Sequence, residues 1–185
     1  MKMVDVKNKQ SEAEEFYIKG KDCYLGKKDK YFGLVNNIPQ NYEKAFELYT
    51  KAAELGHIDA INGLGMCYYF GNGVKRNDVK AFEMFKRTAD MGSSFGNCNV
   101  GLCYYNGHAV ERNDKKAVEF LKKAADMGNS DAIKFLGKCY AVGRGVEKDI
   151  FQAINMFKKA ANMKNPDAVK ELKWLKDVLV ENIGK

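Results

Sequence analysis

The sequence predicts an all-α protein, a solenoid of stacked helix pairs, and three observations carry that prediction. Residues recur every thirty-six positions: Gly65, Gly101 and Gly137 follow Leu64, Val100 and Leu136, and Cys67, Cys103 and Cys139 precede Tyr68, Tyr104 and Tyr140. A second set keeps helical spacing, with Ala45-Phe46, Tyr49, Ala52-Ala53 returning from Ala81, from Ala117 and from Ala153. Glycines at fixed offsets punctuate both sets. Such a unit cannot bury its apolar face alone, so neighbouring units stack.

The first unit is degenerate. Ser11 with Glu14 reads as a capping box that opens a helix toward Leu25, where Cys23-Tyr24 echo Cys67-Tyr68. Fourteen residues separate Cys67 from Ala81, but twenty-two separate Cys23 from Ala45, so about eight extra residues enlarge the loop Lys27 to Pro39. Its lysines, Lys27, Lys28 and Lys30, suit either a functional loop or a solvated tip. In the second helices the alanines permit close approach and one large residue, Tyr49, Phe85, Leu121 or Phe157, fills the remaining gap.

The first helices are expected over Asp59–Phe70, Phe95–Asn106 and Asp131–Val142, each ending in a tight turn such as Gly71-Asn72-Gly73. None of these turns has the Gly-Lys-Ser/Thr ending of a phosphate-cradling loop. Gly56, Gly92 and Gly128 close the second helices in left-handed conformation, with Lys164-Asn165-Pro166 replacing the glycine in the fourth unit. Asp78, Asp114 and Asp149 are the expected helix caps. From Pro166 to Ile183 an amphipathic helix aligns Val169, Leu172, Leu175, Leu179 and Ile183, as a terminal cap should. The chain is thus read as one repeat domain, 1–185: a first repeat over 11–56, then 57–92, 93–128 and 129–165, and a capping helix over 166–185.

Of the 185 residues 45% are apolar, and no apolar run approaches the ~20 needed to span a bilayer. The start, Met1 to Gln10, lacks the apolar core of a secretory signal, so a cytoplasmic location is expected. Five cysteines at these spacings form no disulfide framework and should be reduced. Equivalent positions in adjacent repeats lie ~8–10 Å apart, beyond disulfide reach, and Cys98 and Cys103 are poorly offset for sharing a helix face.

The run Ala60-x-x-x-Leu64-Gly65-x-x-Tyr68-x-x-Gly71-x-Gly73-Val74, followed by Lys80-Ala81 and by helix ends of the form Ala52-Ala53-x-x-Gly56, resembles the Sel-1-like repeat, a relative of the tetratricopeptide repeat. The resemblance covers Tyr42 to Ala161. It implies a right-handed α-α superhelix that scaffolds complexes or binds protein ligands. Cysteine-rich members of the family carry two cysteines per unit, bridging the two helices, whereas the second helices here contain none.

If the first helices line the inner surface, as in tetratricopeptide proteins, the residues expected to face a partner are Asn62, Met66, Tyr69 and Phe70, then Phe95, Leu102 and Tyr105, then Lys134 and Lys138. Asp59, Cys98, Asn106, Asp131, Ala141 and Val142 complete that set. The middle is apolar and aromatic, which suits either a partner groove or a tight wall whose rings pack on one another or under the terminal helix. A carboxylate clamp needs polar residues where Met66 and Leu102 stand.

The net charge of +7 has a periodic source, Lys51, Lys86-Arg87, Lys122-Lys123 and Lys158-Lys159 on the second helices. Such a row suits nucleic acid or an acidic partner. Glu47, Glu83 and Glu119 nonetheless stand four residues before Lys51, Arg87 and Lys123, the favourable order for pairs worth ~0.2–0.5 kcal/mol each. Nucleic acid is therefore not the expected partner. Neither histidine, His57 nor His108, is placed beside a catalytic companion. The expectation is a monomeric, non-catalytic adaptor that holds a peptide or protein segment on its concave face, without cofactor or metal; the alternative is a basic convex surface for nucleic acid or an acidic partner.

Overall fold

The computed structural model describes the backbone of residues 2–26, 28–31, 34–37 and 40–183, and the side chains of 6–26 and 40–177. The second helices form where the alanine pattern runs: α2 (Tyr42–Glu54), α4 (Asp78–Asp90), α6 (Asp114–Asp126) and α8 (Ile150–Asn162). They alternate with the first helices α3 (Ile58–Phe70), α5 (Ser94–Asn106) and α7 (Ser130–Val142). A longer helix stands at each end, α1 (Lys2–Leu25) and α9 (Pro166–Ile183). Helix pairs of the expected class therefore build the fold, and two compact units divide it, Met1–Ser93 and Ser94–Lys185.

The enlarged loop contains an antiparallel pair of strands, β1 (Lys28–Tyr31) and β2 (Leu34–Asn37), with Lys28 opposite Asn37 and Tyr31 opposite Leu34. Lys27 and Pro39 lie outside the described residues, as do the side chains of Lys28 and Lys30.

One contact repeats throughout. A Cβ at Gly65 would lie 2.5 Å from the Phe85 ring, one at Gly101 2.9 Å from Leu121, and one at Gly137 2.7 Å from Phe157. Each glycine is a hole on the first helix that seats the large residue of the following helix. The seated residues are 0–2% exposed, and Ala81, Ala117 and Ala153 beside them are fully buried. Gly20 meets Tyr49 in the same way, at 2.9 Å, although it precedes Cys23 by three residues where Gly65 precedes Cys67 by two. The Asn41 N–H donates to the Cys23 carbonyl, as Asn77 does to Tyr68, so Cys23 is the counterpart of Tyr68 rather than of Cys67. Eighteen residues then separate Cys23 from Asn41 where nine separate Tyr68 from Asn77, and the insertion is nine residues, not eight.

Capping differs from expectation by one residue in two helices. Asn41, Asn77, Asn113 and Asp149, spaced by thirty-six, are the N-caps; each side chain accepts from the backbone N–H three residues on. Asp78 and Asp114 instead occupy the first turn, where negative charge suits the helix dipole, and pair with Arg76 and Arg112. His57 caps α3 through Nδ1 and stacks on Tyr17. Ser11 caps nothing: α1 runs through it from Lys2, because no helix breaker precedes Gly20.

The end helices carry charge where internal helices carry packing residues. The α1 positions that match Ala60, Leu64 and Cys67 hold Glu15, Lys19 and Asp22, and Lys19 pairs with Glu15 at 2.5 Å. In α9, Lys173 replaces the seating glycine. Ala168 and Leu175 of α9 are buried, with Leu172 packed beside Phe157. Val169 does not share that side, being 54% exposed, and the Leu179 and Ile183 side chains lie outside the described residues. All five cysteines are free, and burial pushes the Cys67 and Cys98 thiols up to about 12 and that of Cys139 to about 11.

Three outcomes are expected. Gly137→Ala gains up to ~1 kcal/mol of helix propensity but overpacks Phe157 by ~1–3, so the protein should melt about 2–8 °C lower. Lys164 holds φ of 63°, and the three matching glycines have open space around a Cβ. Lys164→Gly should therefore stabilise by about 0.5–1 kcal/mol, measured by thermal melting. Iodoacetamide at neutral pH should modify Cys67, Cys98, Cys103 and Cys139 only as fast as the protein opens, read by mass spectrometry with and without denaturant.

Candidate partner-binding surface

In the first unit α1 and α3 lie side by side, tied by the Tyr17–His57 stack at 4.4 Å and by a hydrogen bond of 2.9 Å from the Asn72 amide to the Tyr24 hydroxyl. Asn62, Met66, Tyr69 and Phe70 follow one another along one side of α3. The Tyr69 ring meets Phe70 edge-on at 5.0 Å, with the Arg76 guanidinium 5.9 Å above it. Phe70 is 55% exposed and Leu25, its counterpart on α1, 62%. Leu25 is a residue that the sequence reading missed, because the inward set was drawn only from the first helices of the second, third and fourth repeats. The fit of Gly20 to the Gly65 role was the signal that could have found it.

The second unit uses its corresponding residues internally. Lys134 is only 7% exposed; its Nζ reaches Asp131 at 3.0 Å and Asp167 of α9 at 3.3 Å and lies 5.1 Å from the Phe135 ring. Lys138 pairs with Glu171 of α9 at 2.6 Å. These two lysines, expected as inward cations for a partner, hold the last helix instead. Leu102 and Tyr105 pack against the core of this unit, and Phe95 stays exposed.

Tyr105 belongs to a node between the third and fourth repeats. The Arg144 guanidinium lies 3.6 Å from its ring centroid and donates to its carbonyl at 2.6 Å and to Asp114 Oδ1 at 2.7 Å. Hydrogen bonds from Arg112 and then Arg144 hold the Asp114 carboxyl well below the usual carboxylate range. Of the two readings open for the aromatic set, packing describes Tyr105, whose ring meets Phe135 at 5.9 Å, but not the exposed Phe95.

Two matching grooves, of about 520 and 380 Å³, sit at the turns into α8 and α6, floored by Tyr140 and Tyr104. Neither includes a residue of the expected surface. Among the described residues no three or more His, Cys, Asp or Glu gather as metal ligands would, and no described helix is long and apolar enough to cross a membrane.

The basic row is partly neutralised. Lys51 pairs with Glu47 at 3.0 Å and Lys123 with Glu119 at 2.8 Å, while α4 pairs Lys86 with Asp90.

The Sel1 repeat model matches residues 23–57, 58–93, 94–129 and 130–165. Among solved structures, the chain is similar to a protective antigen present in uropathogenic Escherichia coli strains and displaying an SLR fold, at 29% identity and TM-score 0.70, over 86% of this chain and 32% of that one. It is also similar to a Sel1 repeat protein from Oxalobacter formigenes, at 28% identity and TM-score 0.74, over 86% and 60% of the two chains. An immunity protein from Pseudomonas aeruginosa shows 26% identity and TM-score 0.66, over 92% and 60%. The chain thus spans less than two thirds of each of these proteins. No curated protein matches it. Four consecutive matches over most of the sequence, on helix pairs joined by one recurring glycine contact, mean that the chain belongs to the Sel1 repeat family.

Proposed function

We propose that the chain is a protein-interaction scaffold that receives a partner segment on the α1–α3 side of its first unit, across Leu25, Met66, Tyr69 and Phe70. Sel1 repeat proteins are generally non-catalytic scaffolds for protein partners, which supports the class of function. Neighbours named as an immunity protein and a protective antigen fit a fold whose work is binding.

One observation carries the choice of surface. Leu25 and Phe70 leave 62% and 55% of their area in water at matching positions of two helices of one unit; in the second unit Val142 is likewise exposed, but Lys134 and Lys138, which match Asn62 and Met66, are spent on α9. Exposed apolar residues next to a half-buried tyrosine and methionine make a surface that gains by being covered. Little of the fold rests on these two side chains, so binding and stability are separable there.

Leu25→Ala with Phe70→Ala should leave melting within about 1 kcal/mol of wild type and weaken a partner captured from the native cell and then purified by about thirtyfold or more in calorimetric titration, as the loss of an interface anchor does. Tyr105→Ala should do the reverse, costing about 2 kcal/mol of stability with affinity kept. Full affinity in the Leu25/Phe70 variant would remove this surface from the function.

A further inference from the structure

The four second helices share a charge pattern that one of them breaks. Each of α2, α4 and α6 sets an acid four residues before its last-turn cation and another three residues after it: Glu47 and Glu54 around Lys51, Glu83 and Asp90 around Arg87, Glu119 and Asp126 around Lys123. In α8 both acids are asparagine, Asn155 and Asn162, around Lys158 and Lys159. Both lysines are exposed, and neither forms an ion pair among the described residues. The helix itself contains no acid; Asp149, which caps it, accepts the Gln152 N–H at its far end.

A cation near a helix C-terminus is favoured by the dipole, which accounts for Lys159. It does not account for the loss of both acids, because the other three helices keep theirs beside the same dipole. The same outer face carries Phe151, 82% exposed, four residues before Asn155 and seven before Lys158. The matching positions hold Glu43, Val79 and Lys115. An apolar ring left in water beside uncompensated positive charge has no use within the unit.

We propose that the outer face of α8 is a second docking site, distinct from the α1–α3 surface, for an acidic segment of a partner protein. Seven residues of helix span about 10 Å, the reach of about three residues of extended chain. The fitting segment therefore sets an apolar side chain on Phe151 and a pair of carboxylates three residues away on Lys158 and Lys159. Asn155, between them, presents an amide that both donates to and accepts from a peptide backbone. Nucleic acid fits less well: two lysines neutralise only two phosphates, and amides between cation and ring add nothing to backbone tracking.

The probe is a fluorescent peptide in which a leucine precedes a glutamate pair by three residues, titrated against the full chain by anisotropy, with amide NMR shifts locating the site. Binding should weaken with salt, and Lys158→Gln with Lys159→Gln should weaken it about tenfold or more. Phe151→Ser should remove the preference for the leucine peptide over one with glycine in its place. Asn155→Glu with Asn162→Asp, which restores the pattern of the other helices, should abolish binding while melting stays level or rises. The proposal is overturned if the wild-type chain ignores the peptide, if the Asn155/Asn162 variant binds it unchanged, or if an oligothymidylate or phosphatidylserine vesicles bind this face in preference to it.

Discussion

Everything in this fold depends on the seating of one large side chain in one glycine hole per helix pair. Gly65, Gly101 and Gly137 bring the first helix close enough for Phe85, Leu121 and Phe157 to be almost wholly buried. A methyl group at any of the three would stand at 2.5–2.9 Å from the seated residue, a distance that close-packed interiors do not accommodate. The contact also sets what else is possible. With the packing face of each second helix occupied by alanines and one large residue, its outer face is free to carry charge, and the first helix keeps one side for other contacts.

That division explains why the two units differ. In the first, one side of α1 and α3 ends in the exposed Leu25 and Phe70, with the half-buried Tyr69 beside Phe70. In the second, the corresponding side of α7 is tied to α9 by Lys134–Asp167 and Lys138–Glu171, and Arg144 stacks on Tyr105 while bridging to Asp114. A buried ammonium is costly to desolvate, and Lys134 is tolerated because two carboxylates and a ring face meet it. Lys173 stands where a seating glycine would be, so α9 offers no hole for a large side chain of the kind that Gly137 offers Phe157, and its ties to α7 are ionic.

The helix pairs, their glycine ends and the buried alanine faces were legible in the sequence because each is set by local spacing, repeated three or four times. The errors arose where the repeat is broken or was read against its own period. Asp149 follows Asp114 by thirty-five residues and so breaks the period that Asp78 and Asp114 keep, whereas Asn41, Asn77, Asn113 and Asp149 keep thirty-six throughout, and the latter are the caps. Matching a cysteine to a cysteine shifted α1 by one residue, although Gly20 carried the more binding steric constraint. The ion pairs that join Lys134 and Lys138 to α9 were not legible at all, since each links residues more than thirty positions apart through the placement of that helix.

A repeat protein supplies its own control for deciding which residues serve folding. Where the same residue type recurs at a position, as at Gly65, Gly101 and Gly137, the recurring contact explains it. Where one repeat departs, either a local tie compensates, as when Arg144 stands in place of Asn72 and binds Asp114, or the departure leaves something uncompensated. Phe70, where the fourth repeat has Val142 and the third Asn106, and Phe151, where the first has Glu43, are departures of the second kind. Each leaves an apolar ring in water, a cost that folding alone does not explain, and the α8 face adds the loss of two acids that the other second helices use to balance their cations.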